Sequence, residues 1–208
     1  MLSAVLRPFV VLSIAALALL PAAAQAQESA ANRATKTGYV ALEAIGLTLM
    51  PGSGLRGGYF ITPNIAAEAG FAVGSAKVGD FEASKTVIET KAKWFFANSF
   101  YVDGGLTYEA WKAKYPVLAS STGFATETLD GSVNNIGASV HIGNQWQWTG
   151  FTLGCDWLGY FASLSTSASF KSDGGVNASD KKSQEDAVKV AMGGNSVHAL
   201  RLYGGWAF

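Results

Sequence analysis

The sequence predicts an all-β fold, an eight-stranded antiparallel up-and-down transmembrane β-barrel with short turns at one end and longer loops at the other. Three observations carry this expectation: strand-length segments with one apolar and one polar row, connections that alternate in length, and aromatic residues gathered beside the short turns. Composition agrees, with 24 Gly, 6 Trp, 7 Tyr, 12 Phe and only 14% charged residues in 208. After the N-terminal region no apolar run is long enough to make a membrane helix. A chain of this kind can enter a bilayer only as a closed sheet, because hydrocarbon cannot satisfy a free strand edge.

The N-terminus carries Arg7, an apolar run from Phe9 to Leu20, Pro21 and the small residues Ala22–Ala26, the pattern of a secretory signal cleaved after Ala26. Residues 1–26 are therefore expected to be a signal peptide, 27–36 a short periplasmic segment and 37–208 the barrel, about 180 residues in one domain. No Cys follows the cleavage point to carry a lipid. Cys155 is the sole Cys, so no intramolecular disulfide forms. The formal net charge is zero, which leaves no basic footprint for nucleic acid.

Eight segments are read as strands: Gly38–Met50, Leu55–Ile61, Ile65–Gly74, Lys85–Phe96, Phe100–Trp111, Val133–Trp146, Phe151–Phe161 and Val197–Phe208. Several approach the ~9–11 residues that a tilted membrane strand needs. Thr62–Asn64, Ala97–Ser99 and Gln147–Gly150 read as tight turns, whereas Ser75–Ser84, Lys112–Ser132 and Ala162–Ser196 read as long polar loops, the last with a short helix over Asp180–Met192. Pro51–Gly54 breaks the alternation. An even strand count places both termini on the periplasmic side.

Alternation is clean in five strands. Ile88, Thr90, Ala92, Trp94 and Phe96 oppose Glu89, Lys91 and Lys93, and Phe151, Leu153, Cys155, Trp157 and Phe161 oppose Thr152 and Asp156. The same alternation fits a soluble sandwich or a lipocalin-like barrel with its apolar row inward. The rings at one end choose the membrane. Tyr59 and Phe60, Trp94, Phe96 and Phe100, then Trp146, Trp148 and Phe151 flank the three short turns, and Trp206 closes the last strand; amphipathic rings concentrate where hydrocarbon meets headgroups.

The final segment His198–Phe208 alternates through Leu200, Leu202, Gly204 and Trp206 and ends in an aromatic residue. Here the chain resembles the outer-membrane β-barrel family of Gram-negative bacteria, in its small OmpA-like, OmpX-like, OmpW-like and Opa-like group. The resemblance implies that Phe208 is an assembly signal read by the barrel assembly machinery. It also implies that the barrel sits in outer-membrane lipid once the signal peptide is removed.

Following the polar row inward collects Glu43, Arg56, Glu68, Glu89, Lys91, Lys93, Asp103, Glu109, His141, Asp156 and Arg201. Isolated charges are costly to bury, so opposite signs should pair across strands. Counting outward from the turns sets Lys93 opposite Asp103 and His141 opposite Asp156. An eight-stranded lumen is just wide enough to be filled by side chains, so this charge network is expected to form a plug.

The function these residues imply is structural and non-enzymatic, with surface loops for adhesion or surface interaction. The alternatives are a narrow, porin-like transport channel for ions or small or hydrophobic molecules, or a lipid-modifying hydrolase using Ser139, His141 and Asp156. Two His and one Cys at unrelated spacings give no metal pattern, and no cofactor motif is present. Recognition would lie in the loops, where Tyr115, Pro116, Val117, Leu118 and Phe124 can meet a surface ligand.

Overall fold

The structure is a computed structural model that describes residues 29–45, 52–118, 126–172 and 178–208. The signal peptide, the 46–50 end of the first expected strand, and Phe124 lie outside the described residues. The elements are α1 (Ser29–Ala34), β1 (Gly38–Ile45), β2 (Gly52–Thr62), β3 (Ile65–Val78), β4 (Phe81–Ala97), β5 (Phe100–Leu118), β6 (Thr126–Gln147), β7 (Phe151–Ser172), α2 (Ala178–Gly193) and β8 (Ser196–Ala207). Each strand pairs antiparallel with its sequence neighbour, and β1 pairs with β8, for example Val40 with Trp206, so the sheet closes into a barrel.

The barrel is inside-out. Large apolar side chains face outward, with Leu42 at 68%, Leu106 at 59% and Trp206 at 73% exposure, while Arg56 at 1% and Lys93 at 0% point into the lumen. Water would not tolerate that outer wall, and a bilayer requires it. The fold is that of a transmembrane β-barrel.

Two expectations about the sheet need correction. The ladder does not stop at Gly74 and Lys85: β3 and β4 pair on to Val78 and Phe81 and turn through Gly79 and Asp80, with Gly79 at φ 61°. The supposed long loop Ser75–Ser84 is therefore a hairpin tip of the type that favours glycine in a left-handed conformation. The loops Lys112–Ser132 and Ala162–Ser196 likewise contain strand, since β5 runs to Leu118, β6 begins at Thr126 and β7 runs to Ser172. Above the bilayer both faces of these strands meet water, so polar residues occupy both rows and the period of two disappears from the sequence.

The second correction concerns β7. A bulge between Asp156 and Leu158 shifts its register against β6 and reverses its faces, so Leu158 and Tyr160 point outward and Phe161 is fully buried in the lumen. Phe161 does not belong to the lipid-facing row. Cys155 stays on the outer row with Phe151 and Leu153, yet its neighbours cover it to 2% exposure.

Glycine has a second use here besides turns. Tyr39 lies over Gly58, Tyr101 over Gly143, His141 over Gly159 and Tyr203 over Gly154, each ring on the glycine that pairs with it across the sheet. A Cβ at any of these glycines would run into the ring, so bare backbone makes room for it in a narrow lumen. Gly154→Val should displace Tyr203 and lower the unfolding free energy by about 1–3 kcal/mol, read as a shifted urea midpoint in detergent. Gly57→Val, on the outer wall with only an ordinary contact to the Tyr39 carbonyl, should stay within about 0.5 kcal/mol. Equal effects would contradict the seating role.

Candidate functional site

The lumen is organised around Asp156. Its carboxylate accepts from Arg56 Nη1 and Nη2 at 3.3 and 3.0 Å, from Arg201 Nε and Nη2 at 3.0 and 2.7 Å, and from the Tyr101 hydroxyl. Each guanidinium then reaches further carboxylates. Arg56 pairs with Glu43 at 2.6 Å and Glu68 at 3.2 Å, and Arg201 with Glu89 at 3.2 Å. His141 Nε2 lies 3.3 Å from Arg201 Nη2 and its Nδ1 lies 2.7 Å from Asp103 Oδ1. A guanidinium can only donate, so Nε2 accepts and the ring carries its proton on Nδ1, donated to Asp103. This cluster takes at least one member from every strand.

A second layer lies toward the short-turn end. Lys93 pairs with Glu68 at 2.6 Å, donates to Gln145 Oε1 and the Tyr203 hydroxyl at 3.1 Å, and lies 4.1 Å over the Tyr101 ring. Tyr39 donates to Glu68. Lys91 bridges Glu89 at 3.0 Å and Glu68 at 3.2 Å. Below these groups the lumen is apolar, with Tyr39, Phe60, Ala66, Phe95, Tyr101 and Tyr203 in one cluster.

The described part of the short polar segment expected over residues 27–36, from Ser29 on, becomes the floor of this lumen. In α1 the Arg33 guanidinium stacks 3.8 Å from the Phe95 ring and donates to the Pro63 and Asn98 carbonyls, while Asn32 donates to Gln147 O at 2.9 Å and Ser29 Oγ accepts from Gln147 N at 3.2 Å. One helical turn thereby binds to the ends of all three short connections. Burial lowers the Arg33 pKa to about 10, and the carbonyls and ring offset that desolvation without removing the charge at neutral pH. Nothing in the periodicity signals this contact, because α1 is too short to show an amphipathic repeat.

At the opposite mouth, Lys85 pairs with Glu109 at 2.6 Å and lies 4.6 Å over the Trp111 ring. The C-terminal end of α2 dips into this mouth. Met192 and Trp111 both pack on Ala83 and Ala113, Asn135 Nδ2 donates to Met192 O at 2.7 Å, and Thr166 Oγ1 donates to Gly193 O at 2.9 Å.

All eleven residues of the expected charge network are buried and face this interior. Lys93 stands opposite Asp103 in the ladder as counted, although its ammonium pairs with Glu68 and Asp103 pairs with His141 and Lys91. His141 does not pair with Asp156: it stands opposite Gly159, and Asp156 opposite Gly143, because the turn is centred one residue later than the count from Gln147–Gly150 places it and the bulge adds a further residue. The trio Ser139, His141 and Asp156 is consequently not assembled. Asp156 is held by two arginines, His141 by Asp103, and Ser139 Oγ accepts from Thr107 at 2.8 Å. Among the described residues no group of His, Cys, Asp and Glu is placed to hold a metal.

Of the expected interface aromatics, Tyr59, Trp94, Phe96, Phe151 and Trp206 are exposed on the outer wall, Phe100 and Trp148 are half-buried beside them, and Trp146 is covered by its neighbours. Phe96 packs edge-on against Phe100 at 4.9 Å, and Trp148 lies 5.8 Å from Phe151. Phe60 is turned inward, to the apolar floor. Phe208 closes the seam, its carbonyl accepting from Thr37 N at 2.7 Å and Gly38 N at 3.1 Å.

A closed eight-stranded barrel with an apolar outer wall and a charged, filled interior defines a small barrel of the outer-membrane type. Solved structures agree on the fold. The chain is similar to CarO of Acinetobacter baumannii at 11% identity and TM-score 0.54, covering 83% of this chain and 98% of that one. It is similar to CarO2 of the same organism at 12% and 0.50, covering 83% and 99%, and to a major outer membrane protein of Thermus thermophilus at 10% and 0.50, covering 82% and 99%. No family model and no curated protein matches the sequence.

Lys93 is the buried cation with the most varied partners, so Lys93→Met should leave Glu68 short of one charge and lower the unfolding free energy by about 3 kcal/mol. Lys77→Met, at the exposed pair with Glu82, should leave the urea midpoint in place. A Lys93→Met barrel as stable as wild type would contradict the network reading.

Proposed function

We propose that the protein is a non-conducting structural barrel of the outer membrane, exported by a cleaved signal peptide, whose extracellular sheet and α2 serve surface interaction. The observation that carries this reading is that the lumen is occupied at three levels: α1 and the apolar floor, the Asp156 cluster, and Met192 with the Lys85–Glu109 pair. Among the described residues six inward carboxylates, Glu43, Glu68, Glu89, Asp103, Glu109 and Asp156, share the lumen with six cations, Arg56, Lys85, Lys91, Lys93 and Arg201 beside them and Arg33 at the floor. Charges so nearly matched hold one another, whereas a selective pore presents a ring of one sign to its ions.

The reading is non-enzymatic, and the unassembled Ser139, His141 and Asp156 support it. Its partners are outer-membrane lipid along the wall, the assembly machinery through Phe208, and a surface ligand at the extracellular end. The channel alternative has the charged lining in its favour, since the same residues would contact ions if the network parted.

Single-channel recording on the refolded mature protein in a planar bilayer separates the two. The sealed reading expects no conductance steps from protein shown to be inserted. Stable steps that change amplitude with Asp103→Ala would overturn it in favour of the channel.

A further inference from the structure

We propose that the upper edge of β7, Ala162–Ser172, is a docking site for an extended polypeptide segment of a partner protein, which joins the sheet as an added strand. The inference rests on the surface-interaction reading above and gives it a site and a partner chemistry. β8 accompanies β7 only as far as the pair Phe161–Ser196, while β6 continues beside it to the pair Leu129–Ser172. Over that stretch one side of β7 has a ladder and the other, among the described residues, has none. Contacts on the open side lie at its base, where Asn195 Oδ1 accepts from Ser163 N at 3.0 Å. Higher up, Ser165, Ser167, Ala168, Ser169 and Lys171 are exposed, and α2 touches the inner face at Thr166, which donates to Gly193 O.

A row of free backbone donors and acceptors templates pairing with another chain, and proteins usually blunt such edges with proline, charge, bulges or shortness. The other free edges of this projecting sheet are blunted. Among the described residues β3 extends past its last β2 partner by only Ser75–Val78, and it carries the Lys77–Glu82 ion pair at its tip. β5 extends past its last β4 partner, at Lys114, with Pro116 in the open stretch. A second bulge, at Leu164, sits at the base of the β7 edge; beyond it Ser165–Ser172 is longer than either, has no proline, and bears one charge, Lys171, near its far end.

The geometry selects the occupant. Lipid offers no backbone to pair with, and the outer row of β7 turns from Tyr160 to Ser165, Ser167 and Ser169, which sets this stretch above the hydrocarbon. A second copy in the same membrane is related by a twofold axis along the bilayer normal. Both β7 strands then run outward and cross at twice their tilt of roughly 35–45°, too steep an angle for a ladder. An extended segment from a soluble or surface-displayed partner has no such constraint. Its main chain supplies the hydrogen bonds, alternate small or β-branched side chains lie beside the serines, and an apolar residue can meet Leu164, which is 70% exposed.

The test is amide hydrogen exchange on the barrel in lipid nanodiscs, with a synthetic ten-residue peptide of alternating Thr and Val as the probe. At saturating peptide, exchange within 162–172 should slow at least tenfold. Successive N–H groups point to opposite sides of a strand, so of Ser167→Pro and Ala168→Pro one should abolish this protection while keeping the β6 ladder. Unchanged exchange at 162–172, or slowing that survives both proline variants, overturns the edge site. Protection appearing instead on 112–118 or α2 also overturns it while leaving surface interaction standing, and conductance of the same preparation reads the sealed barrel separately.

Discussion

The carboxylate of Asp156, held between the guanidinium groups of Arg56 and Arg201, is the interaction on which the interior depends. From it the contacts spread to Glu43 on β1, Glu68 on β3, Glu89 on β4, Tyr101 on β5 and His141 on β6, so all eight strands meet through one set of charges. Ordinary domains hold together by an apolar core shielded from water. Here the apolar side chains face lipid, and the centre is joined by ion pairs whose desolvation is offset only because each group has several partners.

That constraint explains other features. Rings that surround the charges need space, which the glycines opposite Tyr39, Tyr101, His141 and Tyr203 provide. A filled lumen still has two mouths, one covered by α1 through the short turns and the other entered by α2 at Met192. The barrel wall then continues beyond the membrane as a sheet that closure no longer protects, because β8 ends its pairing while β6 and β7 run on.

Much of this was legible in the sequence because a bilayer imposes a period of two on every strand that crosses it. Strand number, the inward row from Glu43 to Arg201 and most of the aromatic belt follow from that period and from the short turns. Register was less legible: Lys93 and Asp103 stand opposite each other as counted across a tight turn, but a turn centred one residue later moves Asp156 away from His141, the β7 bulge adds a further residue, and no residue type announces a bulge. The projecting parts of β3 to β7 were read as loops because water on both faces removes the alternation. The α1 floor was missed because Ser29, Asn32 and Arg33 act by bonding backbone carbonyls and amides far away in sequence.

A double-mutant cycle on Arg56 and Asp156 tests the central role of the cluster most directly, with Arg56→Met, Asp156→Leu and the double variant unfolded in urea from the same detergent. The account predicts a coupling of about 2–3 kcal/mol, with the double variant far less destabilised than the two single changes added together. Additive losses, within about 0.5 kcal/mol, would show that the pair does not hold the interior together and would contradict the account.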